Sequence, residues 1–115
     1  MATVSKISPC LWFDGQAEEA MNFYTSIFKN SKKDELVYWP KEHGPAGTVL
    51  TASFELEGLP FTALNGGPQF TPDEAVSFQI LCQDQAEIDR YWDALVDGGE
   101  EQPCGWLRDR FHVSW

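Results

Sequence analysis

The sequence has few basic residues, and this shortage limits its possible partners. Lysine and arginine number 8 against 18 acidic residues, which gives a formal charge of −10. A chain with such an acidic excess repels nucleic acid and anionic lipid surfaces. We therefore expect neither nucleic acid nor a membrane among its partners.

Cysteine is also scarce, and long apolar runs are missing. Cys10, Cys82 and Cys104 are odd in number and far apart, which argues against a disulfide framework and a Cys-x-x-Cys metal site. We expect all three thiols to be buried and inert; the alternative is a reactive Cys104 activated by nearby Arg108. No apolar stretch approaches the ~20 residues that span a bilayer, and the start MATVSKIS has no signal-peptide core, so a cytoplasmic protein is expected.

What the chain does contain is enough apolar material for one core. Its 115 residues are 43% hydrophobic and 14% aromatic, which favours a single globular domain over residues 1–115. The first half, module one at 5–64, has the predicted order β-α-β-β-β. Its predicted elements are strands at 7–13, 35–39, 48–56 and 59–64, a helix at 16–28 and a hairpin turn at Glu57-Gly58.

The second half, module two at 75–115, begins the same pattern again. Its predicted elements are strands at 75–82, 100–103, 104–108 and 111–115, and a helix at 85–97 that Gly98-Gly99 ends. A joint at 65–74 separates the halves, because Asn65-Gly66-Gly67-Pro68 interrupts the sheet pattern. It forms the middle of the longer stretch 59–78, whose ends supply a strand to each module.

The two halves also resemble each other directly. When Ile7-Ser8 is placed over Val76-Ser77, the helix starts Gln16-Ala17-Glu18 and Gln85-Ala86-Glu87 coincide without a gap. Two copies of one pattern indicate a pseudo-twofold domain rather than a solenoid.

Three segments carry a resemblance to a known family. LWFDGQAEEAMNFYTSIF, FTALNGGPQFTPDEAVSF and CGWLRDRFHVSW occur in the order found in the PhnB-like family. This family often bears the label 3-demethylubiquinone-9 3-methyltransferase domain. It belongs to the vicinal oxygen chelate superfamily, with glyoxalase I, bleomycin-resistance proteins and extradiol dioxygenases.

The resemblance implies an α+β fold of two βαβββ modules that form a cup-shaped mixed sheet. It also implies a homodimer. The chain departs from the family pattern at His112, where glycine is usual, and at Trp115, where the family continues. The second departure suggests that the last strand is cut short here or completed by another chain.

The resemblance also identifies the positions where metal-dependent relatives carry ligands. The first-strand positions correspond to Pro9 and Phe78, and residues 59–64 offer only the polar Thr62. Neither Pro9 nor Phe78 can bind a metal through its side chain. We therefore expect no metal of the superfamily type, and no cofactor.

The sequence contains two histidines, which are interpreted from their positions in the chain. His112 is either an acid/base lining a pocket or, as we favour, an exposed turn residue beside Asp109. His43 is interpreted as a residue of the proline-rich loop.

A concave sheet would place some strand residues in an aromatic-lined ligand pocket. Asn65, Ser77, Gln79 and Trp106 form the predicted ligand-binding set. For Asn65, the alternative is that it tolerates a left-handed turn before Gly66.

Three functions remain open from sequence. The first is a metal-independent binder of a small apolar or oxygenated molecule, of the bleomycin-resistance type. The second is a superfamily enzyme, and the third is a structural dimer module. The sequence gives the methyltransferase label no support. Nucleotide-type methyl donors usually bind at a glycine-rich strand-to-helix turn, and Asp14-Gly15 offers a lone glycine.

Overall fold

The structure is a computed structural model that describes residues 6–40 and 48–115. The chain divides into two compact units, Met1–Phe70 and Thr71–Trp115, so the division falls inside the joint proposed at 65–74. His43 and most of the proline-rich loop lie outside the described residues. Each unit is considered by itself below.

The first unit contains one helix and a four-stranded sheet. Its elements are β1 (Cys10–Phe13), α1 (Ala17–Ile27), β2 (Ser31–Tyr38), β3 (Val49–Leu56) and β4 (Leu59–Asn65). The strand order is β1-β4-β3-β2. β1 runs parallel to β4, whereas the other neighbours are antiparallel, so the sheet is mixed. This is the βαβββ order that the sequence predicts for module one.

The hairpin between β3 and β4 forms where the sequence predicts it. Glu57 and Gly58 both have positive φ, at 50° and 83°. Two successive left-handed residues make a turn whose twist suits a two-residue hairpin. The alternation in β3 then buries Ala52, Phe54 and Leu56 on one face.

β2 is longer than the sequence predicts. The sequence predicts this strand only from residue 35, but Ser31 already pairs with Leu56 and Lys33 pairs with Phe54. Residues 32–35 are exposed, so backbone pairing and the Ser31 hydroxyl, which donates to Thr25 O and Phe28 O, hold this part of the edge. Hydrophobic alternation cannot reveal a strand whose side chains all remain in water.

The core of the first unit is aromatic. The ring of Phe54 stacks on Phe61 at a centroid distance of 5.5 Å, and the ring of Tyr24 in α1 lies 6.2 Å from that of Phe54. Tyr24 and Phe54 are fully buried. Small residues Ala17 and Ala20 on the same helix face allow α1 to approach the sheet closely.

The second unit contains a helix and short strands. Its elements are α2 (Gln85–Val96), β5 (Glu100–Glu101), a 3₁₀ turn (Pro103–Gly105) and β6 (Leu107–Arg108). β5 and β6 pair in antiparallel fashion. The predicted strand at 104–108 is therefore half turn and half strand.

The strands predicted at 75–82 and 111–115 are much reduced. They are joined by one parallel bridge, Ser77 with Ser114, and by the bond from Phe78 N to Ser114 O. Among the described residues, no strand lies beside positions 79–82 to continue the ladder. The apolar pattern there favours a strand, but a strand also needs a neighbour for its backbone groups.

Neither helix in the described ranges is long and apolar enough to cross a membrane.

Candidate functional site

The second unit has a cavity of about 480 Å³. Three parts of this unit surround it: the segment 77–82, the apolar face of α2, and the turn and strand at 104–107 with Trp115. Every lining residue belongs to the second unit. The volume lies in the range typical of small-molecule sites.

The cavity wall is largely apolar and rich in aromatic rings. Trp106 is 49% exposed, so much of its indole is accessible. Phe78 and Trp115 lie against each other with their ring centroids 5.4 Å apart. The lining residues that carry apolar side chains are Phe78, Ile80, Leu81, Ile88, Tyr91, Trp92, Leu95, Trp106, Leu107 and Trp115.

A few polar groups interrupt this apolar wall. The Trp106 indole nitrogen donates to the Ser77 hydroxyl at 3.2 Å. Gln79 lines the cavity with an exposed side chain. The Trp92 indole donates to Glu101 at 3.2 Å, which fixes a second ring of the wall.

Two thiols also line the cavity, and both depart from the predicted burial. Cys104 is exposed and Cys82 is half-buried, while Cys10, in the first unit, is exposed. Cys10 is the first residue of β1, a strand at the edge of the sheet, and Cys104 lies in a turn with a φ of 63°. The prediction that all three thiols are buried is therefore wrong, because cysteine type alone cannot say which strand face or turn it occupies.

The surroundings of Cys82 affect the ionisation of its thiol. Partial burial, followed by the charge and hydrogen bonding of Glu87, raises the pKa of the Cys82 thiol. A raised pKa keeps this sulfur in the unreactive thiol form at neutral pH. Cys82 therefore acts as an apolar wall residue.

Three of the four predicted ligand-binding residues come together here. Ser77, Gln79 and Trp106 all line the cavity. Asn65 lies in the first unit, where its Oδ1 accepts from Ala17 N at 2.9 Å and its Nδ2 donates to Val49 O at 2.9 Å. Its suggested left-handed conformation is wrong, since it ends β4 in register with Phe13.

The sequence reasoning missed the contribution of α2. The predicted ligand-binding set contains no residue of α2, yet Ile88, Tyr91, Trp92 and Leu95 line the cavity, Tyr91 and Leu95 as buried residues. No sequence signal could have shown this, because an amphipathic pattern does not separate a position such as Ile88, which is 45% exposed, from a buried one. His112 is an exposed turn residue with a φ of 71°, as favoured from sequence.

The superfamily's metal does not fit the residues in its place. The Phe78 ring packs on Trp115, and Pro9 has no donor atom in its side chain. Within residues 6–40 and 48–115, no three His, Cys, Asp or Glu side chains gather in a way that could hold an ion. The strand-to-helix turn before α1 also differs from the glycine-rich turn that usually binds a nucleotide-type methyl donor, because it contains the lone Gly15.

Comparisons with known proteins agree with this architecture. The chain is similar to the PhnB protein from Bacillus cereus, at 35% identity and a TM-score of 0.84, covering 96% of each chain. Protein PA1353 from Pseudomonas aeruginosa shares the fold at 23% identity and a TM-score of 0.78, covering 97% of this chain and 95% of its own. Comparison with curated protein sequences finds no match.

The family model described as 3-demethylubiquinone-9 3-methyltransferase matches residues 5–115. The three sequence segments that suggested this family lie in that range. The chain belongs to this PhnB-like family and has its glyoxalase-like α+β fold.

Proposed function

We propose that the protein binds a small, apolar or partly oxygenated molecule in the cavity of its second unit, without a metal ion of the superfamily type. The observation that carries the proposal is the cavity of about 480 Å³ with accessible aromatic walls. Such sites bind by burying apolar surface and orient the ligand through a few polar groups.

The polar groups restrict the ligand's chemistry. Ser77 accepts a bond from Trp106, so its own hydroxyl proton is available to a ligand oxygen. The Gln79 amide offers both a donor and an acceptor. A net charge of −10 disfavours anionic ligands, which leaves neutral molecules with a carbonyl, hydroxyl or ether oxygen as the favoured class.

A fluorescent probe tests the cavity directly. N-phenyl-1-naphthylamine is neutral and aromatic, and its emission rises in an apolar site. We expect Trp106→Ala to bind it about tenfold more weakly, because a stacking surface is lost. Trp39→Phe, in the first unit, is the control and should bind as the wild type does. Equal affinity in wild type and Trp106→Ala would contradict the proposal.

The cysteines supply a second test without any substitution. A bound molecule should slow alkylation of Cys104, which is exposed at the cavity wall, and leave Cys10 unchanged. Mass spectrometry of iodoacetamide-treated protein, with and without N-phenyl-1-naphthylamine, gives both rates from one sample. Protection of Cys10 and Cys104 to the same extent would indicate non-specific binding.

An enzymatic role is the alternative, and the family description alone favours it. Methyl transfer would require the chain to bind a donor such as S-adenosylmethionine. Calorimetric titration with this donor separates the two functions: we expect no saturable heat. A stoichiometric transition would replace the binding proposal with the transferase.

We also propose that the chain pairs with a second copy of itself. Support comes from residues 79–82, which have no strand beside them in the described part of the chain, and from Leu81, which is 91% exposed. A free edge with apolar side chains is a template for pairing. Leu81→Lys should lower the mass measured by light scattering from dimer to monomer, whereas Leu59→Lys in the hairpin should not. A wild-type monomer at micromolar concentration would contradict the dimer.

A further inference from the structure

Asp109 is a buried acidic residue close to the cavity but outside its lining. Its side chain is 2% exposed. Oδ1 accepts from Phe111 N at 2.8 Å and from Val113 N at 3.1 Å. Oδ2 accepts from the Trp115 indole nitrogen at 2.9 Å. Buried carboxyl oxygens are stable only when donors surround them in this way.

The two oxygens of Asp109 have separate tasks. Oδ1 holds the turn at residues 109–113, where the bond from His112 N to Asp109 O forces His112 into a left-handed conformation. Oδ2 accepts from the Trp115 indole nitrogen and so holds the Trp115 ring.

The orientation of Trp115 matters because its ring is a wall of the cavity. Its main chain is already fixed, since Trp115 and Leu107 exchange two backbone hydrogen bonds of 3.0 Å. Only the side-chain torsions remain to be set. The bond to Asp109 and the packing on Phe78 restrict them.

We propose that Asp109 is a positioning residue that sets the cavity's affinity for its ligand by holding the Trp115 indole in place. This inference rests on the proposed binding function. Asp109 does not touch the ligand, and acts only through the ring that does.

Replacement by asparagine separates the two tasks. Asp109→Asn keeps an acceptor for Phe111 N and Val113 N but replaces the other oxygen with an amide that donates. Two donors would then face each other between residue 109 and Trp115, so the indole must rotate away. Trp115→Phe removes the indole N–H and retains an aromatic ring, which relieves the conflict.

The test is a double-mutant cycle with N-phenyl-1-naphthylamine as the probe. We expect Asp109→Asn to weaken binding about fivefold to tenfold, which corresponds to the net contribution of about one hydrogen bond. In a Trp115→Phe background the same change should alter affinity less than about twofold. An equal loss in both backgrounds would show that Asp109 acts only on the turn, and would overturn the proposal.

The indole resonance gives an independent reading. The ¹⁵N–¹H signal that disappears in Trp115→Phe identifies the indole, and it should shift in Asp109→Asn. An unchanged signal would overturn the proposal. If Asp109→Asn fails to fold, the double variant should recover folding, and failure of both would also overturn it. If the wild type does not bind the probe, the proposed function fails, while the resonance still decides whether Asp109 orients Trp115.

Discussion

The two units contain similar sequence patterns but use their aromatic residues differently. In the first unit, Phe54 contacts the rings of both Tyr24 and Phe61 and is fully buried. In the second unit, Trp106 and Trp115 line a cavity, and Trp106 is 49% exposed whereas Trp115 is buried. The buried rings of the first unit belong to a four-stranded sheet and the helix on it. Across its described residues, 71–115, the second unit has only the β5–β6 pair and two isolated bridges, and a ring such as Trp106 stays half exposed there.

The two helices show the same contrast at their starts. Both begin near a Gln-Ala-Glu triplet, yet Ala17 is fully buried while Ala86 is exposed. α1 has no side-chain cap of its own, and Asn65 from β4 accepts from Ala17 N. In α2, Asp84 accepts from Glu87 N at 2.9 Å as a local N-cap. A shared sequence pattern therefore predicts a helix but not its surroundings.

The largest expected effect removes the packed aromatic stack. Phe54→Ala should lower the free energy of unfolding by about 3–5 kcal/mol, because it empties a fully buried site. Trp106→Ala, at a 49% exposed position, should cost less than about 1 kcal/mol. Urea unfolding followed by circular dichroism measures both. Similar losses would show that Trp106 is packed and would remove the contrast between core and wall.

One glycine in each unit should give the next largest difference in stability when it is replaced by alanine. A Cβ on Gly99 would overlap the Arg108 carbonyl oxygen, which cannot move without disturbing β6, so Gly99→Ala should cost about 1–3 kcal/mol. A Cβ on Gly66 would overlap the Trp12 indole, which is a side chain and can rotate. Gly66→Ala should therefore cost less, while breaking the 2.8 Å bond from Trp12 to Gly67 O.

Urea unfolding gives the stabilities, and the tryptophan emission spectrum reports the loss of the Trp12 bond. A larger destabilisation from Gly66→Ala than from Gly99→Ala would reverse the expected order.

The two helix caps should differ modestly. Asn65→Ala leaves Ala17 N and Val49 O without their partner and should cost about 1–2 kcal/mol. Asp84→Ala removes a single local cap bond and should cost about 1 kcal/mol. Denaturant titration of both variants measures the difference.

Asn22→Ala serves as the control for these caps, because Asn22 lies on the exposed side of α1. Its stability should remain within about 0.5 kcal/mol of wild type. If Asn65→Ala falls in the same narrow range, Asn65 does not cap α1.

The smallest expected effect concerns the turn in the second unit. His112 has a φ of 71°, a conformation that costs a residue with a Cβ but not glycine. His112→Gly relieves this strain, but glycine loses more chain entropy on folding, which offsets part of the gain. The free energy of unfolding should therefore rise by only about 0.5 kcal/mol. The midpoint of thermal unfolding measures this gain, and a lower midpoint would contradict it.

Much of the first unit could be predicted from sequence. Alternation in β3 and helical spacing in α1 follow from burial on one face. The dipeptide Glu57-Gly58 predicts the hairpin turn that it forms. The polar half of β2 could not be predicted in this way, because it buries no apolar face and is held by backbone pairing and the Ser31 hydroxyl. The role of Asn65 was hidden as well, since its partners Ala17 and Val49 are distant in sequence.

Less of the candidate site could be predicted. Ser77, Gln79 and Trp106 line one cavity, as the resemblance to a concave fold suggested, and their role in ligand binding stays a prediction. Periodicity gave α2 an apolar face, but it cannot say whether that face meets side chains or open space. Asp109 went unnoticed, since an acidic residue in a turn is ordinary until the structure shows its burial.

The cap that β4 supplies to α1 also has a kinetic consequence. A helix of 11 residues is marginal by itself, and the first turn is its costliest part to form. The Asn65 that completes α1 arrives only when the sheet has brought its end to the helix, across a long loop closure. The cap of α2 is the adjacent residue Asp84, so its formation requires no contact with a distant strand. Helical structure in α2 should therefore form early in folding, and that in α1 only together with β4.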